Sequence, residues 1–275
     1  MDAYIFQFKE QHCQLNGCPR IMGILNLTPD SFSDGGKFAC LEKAVQRGLQ
    51  MAAEGAEFLD LGGESTRPGY TPISTEDELR RVLPVLEELR RCCPLPISID
   101  TSKAAVADAA LAAGASIVND VSALRDPAMG EIIGKHGAGC ILMHDLQLPP
   151  QPEAFRQVED FLAQRLQWAM EKCSLSKEHF VIDPGIGFGK NLGQNLSLLK
   201  YCGSLRKLGV PVLVGMSNKS FIGKIAGEEL PDKRLGGSLA AAVLCQQSGC
   251  DILRVHQVFE TGQALQVAAA ISTAF

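Results

Sequence analysis

Short apolar runs alternate with longer amphipathic stretches along almost the whole chain. Eight of the runs read as strands: Ile21–Leu25, Glu57–Leu61, Ile97–Ile99, Ser116–Val118, Cys140–Met143, Phe180–Ile182, Pro211–Val214 and Asp251–Val255. Most lack the polar–apolar alternation of a half-exposed strand, which is expected of parallel strands covered on both faces. The intervening stretches carry helix punctuation. Thr75-x-x-Glu78 fits a capping box, and Leu79, Val82, Leu83, Leu86 and Leu89 follow at helical spacing, with Pro84 expected to kink the helix. Ser102 is placed to cap an alanine-rich helix that ends at Gly114, and Asp126-Pro127 reads as a cap followed by a first-turn proline. Gly249 stops the run Leu239–Ser248, and Glu260–Thr273 makes a last helix.

Eight strand–helix units point to a single α/β domain over residues 1–275, closed as a (β/α)8 barrel, with about residues 1–19 closing its bottom. An open doubly wound sheet shows the same alternation. The count of eight favours the barrel, as does the lack of a Gly-rich dinucleotide turn after the first strand.

Composition narrows the function classes. Hydrophobic residues make up 46% and charged residues 21% of 275, an ordinary globular balance with a sizeable core. A formal net charge of -5 gives no general attraction to nucleic acid or to an anionic membrane, so a bound anion must be caught by a few placed groups. The longest uncharged stretches, Leu235–Cys250 and Thr261–Phe275, contain Gln and fall short of the ~20 apolar residues of a membrane span. Ten cysteines are scattered without a CxxC pair, which suits reduced thiols in a cytoplasmic protein.

In a barrel, chemistry sits where the strands end. The first strand runs into Asn26 and a loop through Asp34-Gly-Gly; the second into Asp60-Leu-Gly-Gly-Glu64-Ser-Thr66-Arg67-Pro68-Gly. The next four end in Asp100-Thr, Asn119-Asp, His144-Asp and Asp183-Pro-Gly, and the last two in Gly215-Met-Ser217-Asn218-Lys219 and Arg254-Val-His256. Singly, each has a plain explanation: a helix cap for Asp100 or Asp183, a surface charge for Lys219, a structural ion pair for Arg254 and His256. Together they bring charged and amide groups from every strand to one rim, costly unless a ligand or partner satisfies them. Asp100, Asn119, Asp183 and Lys219 suit a polar neutral heterocycle, since a guanidine-like edge matches a carboxylate. Asn26, Arg67, Arg254 and His256 suit an anion, and the Asn26 amide is of a type that can also offer an oxygen ligand to a Mg²⁺ held mainly by a diphosphate.

Gly185-Ile-Gly187-Phe188-Gly189-Lys190 is neither GxGxxG nor GxxxxGK[ST]. Its glycines let the backbone pass close to a ligand, with Phe188 over one face. The segments Thr28–Phe38, which includes Asp34, and Ser65–Ser74, which includes Pro68, are long for this fold. They are expected to act as mobile covers over bound substrates.

At these residues the chain resembles the dihydropteroate synthases, transferases of folate biosynthesis. The likeness rests on Met22-Gly-Ile-Leu-Asn26-Leu-Thr-Pro-Asp-Ser-Phe-Ser-Asp34-Gly-Gly, Asp60-Leu-Gly-Gly-Glu-Ser-Thr66-Arg67-Pro-Gly, Ser98-Ile-Asp100-Thr-Ser-Lys and Asn119-Asp. It continues in Asp183-Pro-Gly-Ile-Gly-Phe188-Gly-Lys-Asn, Ser217-Asn-Lys219-Ser and Arg254-Val-His256. It implies condensation of p-aminobenzoate with 6-hydroxymethyl-7,8-dihydropterin diphosphate. The pterin would lie on Asp100, Asn119, Asp183 and Lys219, and the diphosphate with Mg²⁺ on Asn26, Arg254 and His256. The aminobenzoate would lie on Thr66, Arg67, Phe188 and Ser217; a homodimer is implied as well. Three positions depart from the family pattern: Asn218 in place of Arg, Gln257 in place of Asp, and His144-Asp145 in place of His-Met. A methyltetrahydrofolate-type methyltransferase would keep the pterin contacts without the anion set, and a pterin-binding paralogue with weak or no synthase activity would account for the departures.

Overall fold

The computed structural model describes residues 3–16, 18–27, 37–65, 71–149 and 153–274. An antiparallel hairpin, β1 (Tyr4–Phe8) and β2 (Gln11–Leu15), comes first. Then follow β3 (Arg20–Asn26), α1 (Lys37–Ala53), β4 (Phe58–Gly62), α2 (Thr75–Cys92), β5 (Ile97–Asp100), α3 (Ala104–Ala112), β6 (Ile117–Asp120) and α4 (Met129–His136). The second half holds β7 (Gly139–Met143), α5 (Ala154–Cys173), β8 (Phe180–Asp183), α6 (Leu192–Tyr201), β9 (Leu213–Gly215), α7 (Ser220–Ala226), α8 (Leu235–Ser248), β10 (Ile252–Val255) and α9 (Val258–Ser272).

Strands β3 to β10 form one parallel sheet in the order β8-β7-β6-β5-β4-β3-β10-β9. A parallel bridge between Ile182 and Val212 joins the two ends, so the sheet closes as the (β/α)8 barrel the strand count predicts. All eight expected strands are present, with ends shifted by a residue or two; the seventh begins at Leu213 rather than Pro211.

Side chains alternate faces along each strand. Outward residues such as Leu59, Leu61, Ile97, Ile99, Cys140, Leu142 and Leu253 pack on the helices in one buried cluster. Inward residues Met22, Phe58, Ile117, Ile141, Val181, Leu213 and Ile252 form a second cluster with Phe6, Phe8 and Leu15 of the hairpin. The hairpin therefore plugs the N-terminal end, and the Phe8 and Phe58 rings meet edge to face at 6.1 Å. Two residues further along the same inward faces come Ile24, Asp60, Asn119, Met143, Asp183, Gly215 and Arg254. Polar groups thus succeed the apolar plug within the barrel's own register.

Helix starts differ from expectation in three places. Ser74, not Thr75, caps α2, its hydroxyl accepting from the Asp77 N–H at 3.1 Å. Glu78 is then free of capping duty and lies buried, paired with Lys103 at 2.6 Å. Pro84 sits inside an α2 that runs unbroken, because Val82, Val85, Leu86 and Leu89 bury its inner face. Ser102 does not cap α3; Asp126 does, its Oδ2 accepting from Ala104 N–H and its Oδ1 from Ala128 N–H, both at 3.0 Å. One carboxylate so serves two helices, and α4 begins at Met129 rather than at Pro127. Gly249 ends α8 with φ of 92°, the left-handed stop its position predicts.

Candidate active site at the C-terminal ends of the strands

The deepest polar cluster is built on Asp60, Asp100 and Asn119 from the neighbouring strands β4, β5 and β6, with Arg254 from β10, which β3 separates from β4. Arg254 Nε donates to Asp60 Oδ2 at 2.5 Å, and its Nη2 donates to Asp100 Oδ2 at 2.6 Å. Asn119 Nδ2 donates to the same Asp60 oxygen at 3.1 Å. Asp60 is fully buried, and Asp100 and Asn119 are each 4% exposed. Among the described residues, Asp100 Oδ1 has no hydrogen-bond partner. A buried carboxylate oxygen left that way is costly, and the burden is relieved when a ligand donates to it.

The loop after β8 forms one wall. Asp183 Oδ1 accepts from the Gly185 N–H at 2.7 Å, which turns the chain sharply at the strand end. Gly185, with φ of 69°, passes so close to β7 that a Cβ there would lie 1.9 Å from the His144 carbonyl oxygen. Lys219, at the end of β9, donates to the Ile186 carbonyl and lies 4.7 Å from the Phe188 ring centroid. Lys190 returns from the loop to donate to the His144 and Phe188 carbonyls at 2.9 and 2.7 Å.

Beyond β9 and β10, the His256 Nδ1 lies 3.1 Å from Ser217 Oγ, and Ser217 Oγ lies 3.4 Å from Gln257 Oε1. A Cβ on Gly62 would lie 3.7 Å from both the Asn26 amide oxygen and Asp100 Cβ, so these two residues flank the same glycine. Arg254 falls among the carboxylates, whereas His256, two residues on, reaches Ser217. Thr66, Arg67, Pro68 and Asp34 lie outside the described residues, as do most of the two segments expected to cover the site.

Burial sets the titration of this cluster. It pushes the Asp100 carboxyl up to about 7, with Arg254 opposing and Asp60, Glu78 and Asp120 adding to the rise. Asp183 is raised by burial against the pull of Lys219, the Gly185 N–H and Arg254. Burial lowers Lys219 to about 8 in spite of Asp183. For Arg254, burial works against the charge, but the Asp60 and Asp100 carboxylates outweigh it. The cluster holds its charges as mutually dependent sets rather than as isolated caps.

The departures from the family pattern are each accommodated. Asp145 takes both oxygens to Arg125 Nη2, at 2.6 and 2.7 Å, so its charge at the rim is met. Asn218 adopts φ of 58°, a conformation Asn tolerates, and its N–H donates to Ser238 Oγ at 3.0 Å while Arg234 Nη1 donates to its carbonyl. Gln257 sits beside Ser217, as above.

The sequence placed Asp60 at its strand's end and Glu64, Lys103 and Lys190 within their motifs without a role at the site, and assigned Glu78 to a capping box. The structure brings Asp60 under Asn119 and joins Glu64, Lys103 and Glu78 as a trio. In the trio, Lys103 Nζ bonds both carboxylates at 2.5 and 2.6 Å, and Glu64 also accepts from the Ile73 N–H at 2.9 Å. The signal for Asp60 was available: a carboxylate on an inward face within a run otherwise apolar.

Comparison with known proteins agrees with this geometry. The family model described as pterin binding enzyme matches residues 22–256. The dihydropteroate synthase of Synechocystis sp. is 42% identical over 258 residues, 91% of this chain and 89% of that protein. The structure of Xanthomonas albilineans dihydropteroate synthase with 4-aminobenzoic acid is 44% identical, covers 100% of both chains and superposes with a TM-score of 0.93. That of the same enzyme in complex with 7,8-dihydropteroate is 45% identical, covers 94% of this chain and 95% of that one, and superposes with a TM-score of 0.86. With strand-end chemistry, fold and likeness in agreement over nearly the full length, the chain belongs to the pterin-binding enzyme family and, within it, to the dihydropteroate synthases.

Proposed function

We propose that this chain joins p-aminobenzoate to 6-hydroxymethyl-7,8-dihydropterin diphosphate, forming 7,8-dihydropteroate and releasing diphosphate. The observation that carries the substrate assignment is the unpartnered, buried Asp100 Oδ1 beside Asn119. It is an acceptor awaiting the N–H edge of a planar heterocycle. Asp100, Asn119, Asp183 and Lys219 bind that pterin. Asn26, Arg67, Arg254 and His256 meet the diphosphate, and Thr66, Arg67, Phe188 and Ser217 line the place of the aromatic amine.

The chemistry needs no side-chain nucleophile. As the C–O bond to diphosphate breaks, positive charge grows on the pterin methylene and spreads into the ring. The Asp100 and Asp183 carboxylates stabilise it from fixed positions in a dry layer. The amine nitrogen, held over the same carbon, forms the new C–N bond.

Mg²⁺ fits as an ion carried on the diphosphate. Among the described residues, no three His, Cys, Asp or Glu side chains converge to hold a metal, and Asn26 offers one neutral oxygen. When bound, the ion supplies charge neutralisation to the leaving diphosphate.

A homodimer is part of the proposal. Ile225 on α7, Leu244 on α8, and Phe259, Val267 and Ile271 on α9 expose more than half their surface, an apolar stretch suited to a second copy. A cytoplasmic setting is supported by the ten cysteines, none of them in a disulfide. No described helix is long and apolar enough to cross a membrane.

The distinguishing experiment is thermal unfolding with diphosphate and Mg²⁺. The synthase assignment requires a concentration-dependent rise in Tm; a folate methyltransferase, with no anion to hold, would show none.

A further inference from the structure

Asp60 lies one layer beneath the rim. Its register partners are Ile24 on β3 and Ser98 on β5, whereas Asp100 pairs with Gly62 and Asn119. It is fully buried, so it meets the heterocycle only through the residues above it. One of its oxygens nevertheless accepts from both Arg254 Nε and Asn119 Nδ2. A carboxylate buried one layer above the inward-facing Phe58 of the same strand is retained against a desolvation cost that a hydrophobic residue would not incur.

The direction of those bonds is what matters. A carboxylate bonded to a guanidinium only accepts. Asn119 must therefore turn its NH2 group down to Asp60, which leaves its carbonyl oxygen for the pocket. The guanidinium of Arg254 is held at two corners, by Asp60 below and Asp100 beside it. We propose that Asp60 is a positioning residue that fixes the amide orientation of Asn119, and thereby the order of hydrogen-bond donors a heterocycle must present to Asn119 and Asp100. The proposal rests on the pterin assignment above. Two neighbouring acceptors, Asn119 Oδ1 and Asp100 Oδ1, then select ligands with two neighbouring N–H donors and reject heterocycles that offer a ring acceptor there.

The test moves the carboxylate. An Asn at position 60 could keep both bonds through the one oxygen that accepts them in the parent. The acceptor is therefore removed outright in Asp60→Leu, and nothing then holds the Asn119 NH2 away from the pocket. In the double variant Asp60→Leu with Asn119→Asp, the carboxylate at position 119 needs no orienting and shows an oxygen to the ligand whichever way it turns.

Binding of 6-hydroxymethyl-7,8-dihydropterin diphosphate is followed by calorimetry, and KM for p-aminobenzoate is measured in parallel. The single variant is expected to bind the pterin roughly 10- to 100-fold more weakly, the penalty of facing donor to donor. The double variant is expected to recover most of that loss, with KM for p-aminobenzoate little changed in both. A single variant within about threefold of the parent, or a double variant no better than the single, overturns the proposal; a structural role alone gives no recovery on exchange. A parent protein that binds no pterin overturns the function proposed above and this inference with it, and is told apart by being seen before any substitution. Should Asp60→Leu not fold, the Asn119 side-chain amide of the parent decides the matter by NMR. Slowly exchanging Nδ2 protons that persist with pterin bound support the bond to Asp60, and freely exchanging ones contradict it.

Discussion

Lys190 Nζ lies 3.0 Å from His144 Nδ1 and donates to the carbonyl of that same residue at 2.9 Å and to that of Phe188 at 2.7 Å. Burial lowers the Lys190 ammonium to about 7; while it is protonated its three donors meet these three acceptors, and one side chain stitches the loop after β8 to the end of β7. The contact also makes His144 Nδ1 an acceptor, and burial with the nearby ammonium lowers that imidazole to about 4. Lys190→Met removes all three bonds and strands two carbonyls. Urea unfolding should show a loss of about 1–3 kcal/mol, and KM for the pterin should rise because Phe188 and the Ile186 carbonyl that holds Lys219 ride on this loop.

The acid and base limbs of activity follow from Asp100 and Lys219. Asp100 must be a carboxylate to accept from the pterin, and its pKa near 7 makes binding weaken as pH falls below that value. Lys219 must be charged, and loses its proton above about 8. The profile of kcat/KM should therefore be bell-shaped, with macroscopic limbs near those values. The linkage to stability runs in a stated sense. Asp100 is raised above its unfolded value, so its contribution falls as pH climbs from about 4 to about 7; Lys219 is lowered, so its contribution is lost as pH falls from about 10 towards 8. Pterin should raise Tm most between about pH 7 and about pH 8, where both groups carry the charge that it needs.

Two glycines of neighbouring sequence should respond in opposite ways. Gly185→Ala places a Cβ against the His144 carbonyl in a left-handed backbone and should cost more than about 2 kcal/mol, with pterin binding lost. Gly193, in the first turn of α6, has only the Asn191 amide oxygen near its Cβ position, at 3.6 Å. Gly193→Ala should be neutral or stabilise by up to about 1 kcal/mol. Denaturant midpoints for the pair check both signs.

Arg125 should matter only through charge. Its pair with Asp145 is exposed on the Arg side, so it adds little to stability. Arg125→Ala leaves Asp145 unmatched on the rim beyond β7, and KM for the pterin diphosphate should rise less than about fivefold at low salt and approach the parent value at high salt.

The strands and their inward polar ends were legible because closure imposes one rule, an alternation of faces, on all eight. That rule carried Asp100, Asn119, Asp183 and Arg254 to the inward face, whereas Lys219 lies in the loop beyond β9 and is held there by the Ile186 carbonyl. The same rule put Asp60 at its strand's end without a role, because the partners from β6 and β10 that hold it come together only when the barrel closes. Helix starts were misplaced where caps come from afar: Asp126 reaches Ala104 across 22 residues, and no local pattern announces it. The hairpin was also hidden. Its turn uses Lys9 at φ of 55° rather than an Asn-Gly pair, and Lys9 is held by bonds to Gly137 and Leu111 that exist only in the fold.

The most direct test of the central claim is diphosphate release from 6-hydroxymethyl-7,8-dihydropterin diphosphate with Mg²⁺, with and without p-aminobenzoate, on the parent protein and on Asp183→Asn. Turnover that depends on the amine and falls at least about 100-fold in the variant is the predicted result. Measurable pterin binding without amine-dependent release in the parent would contradict the synthase assignment, and unchanged turnover in Asp183→Asn would contradict the anchoring role given to that carboxylate.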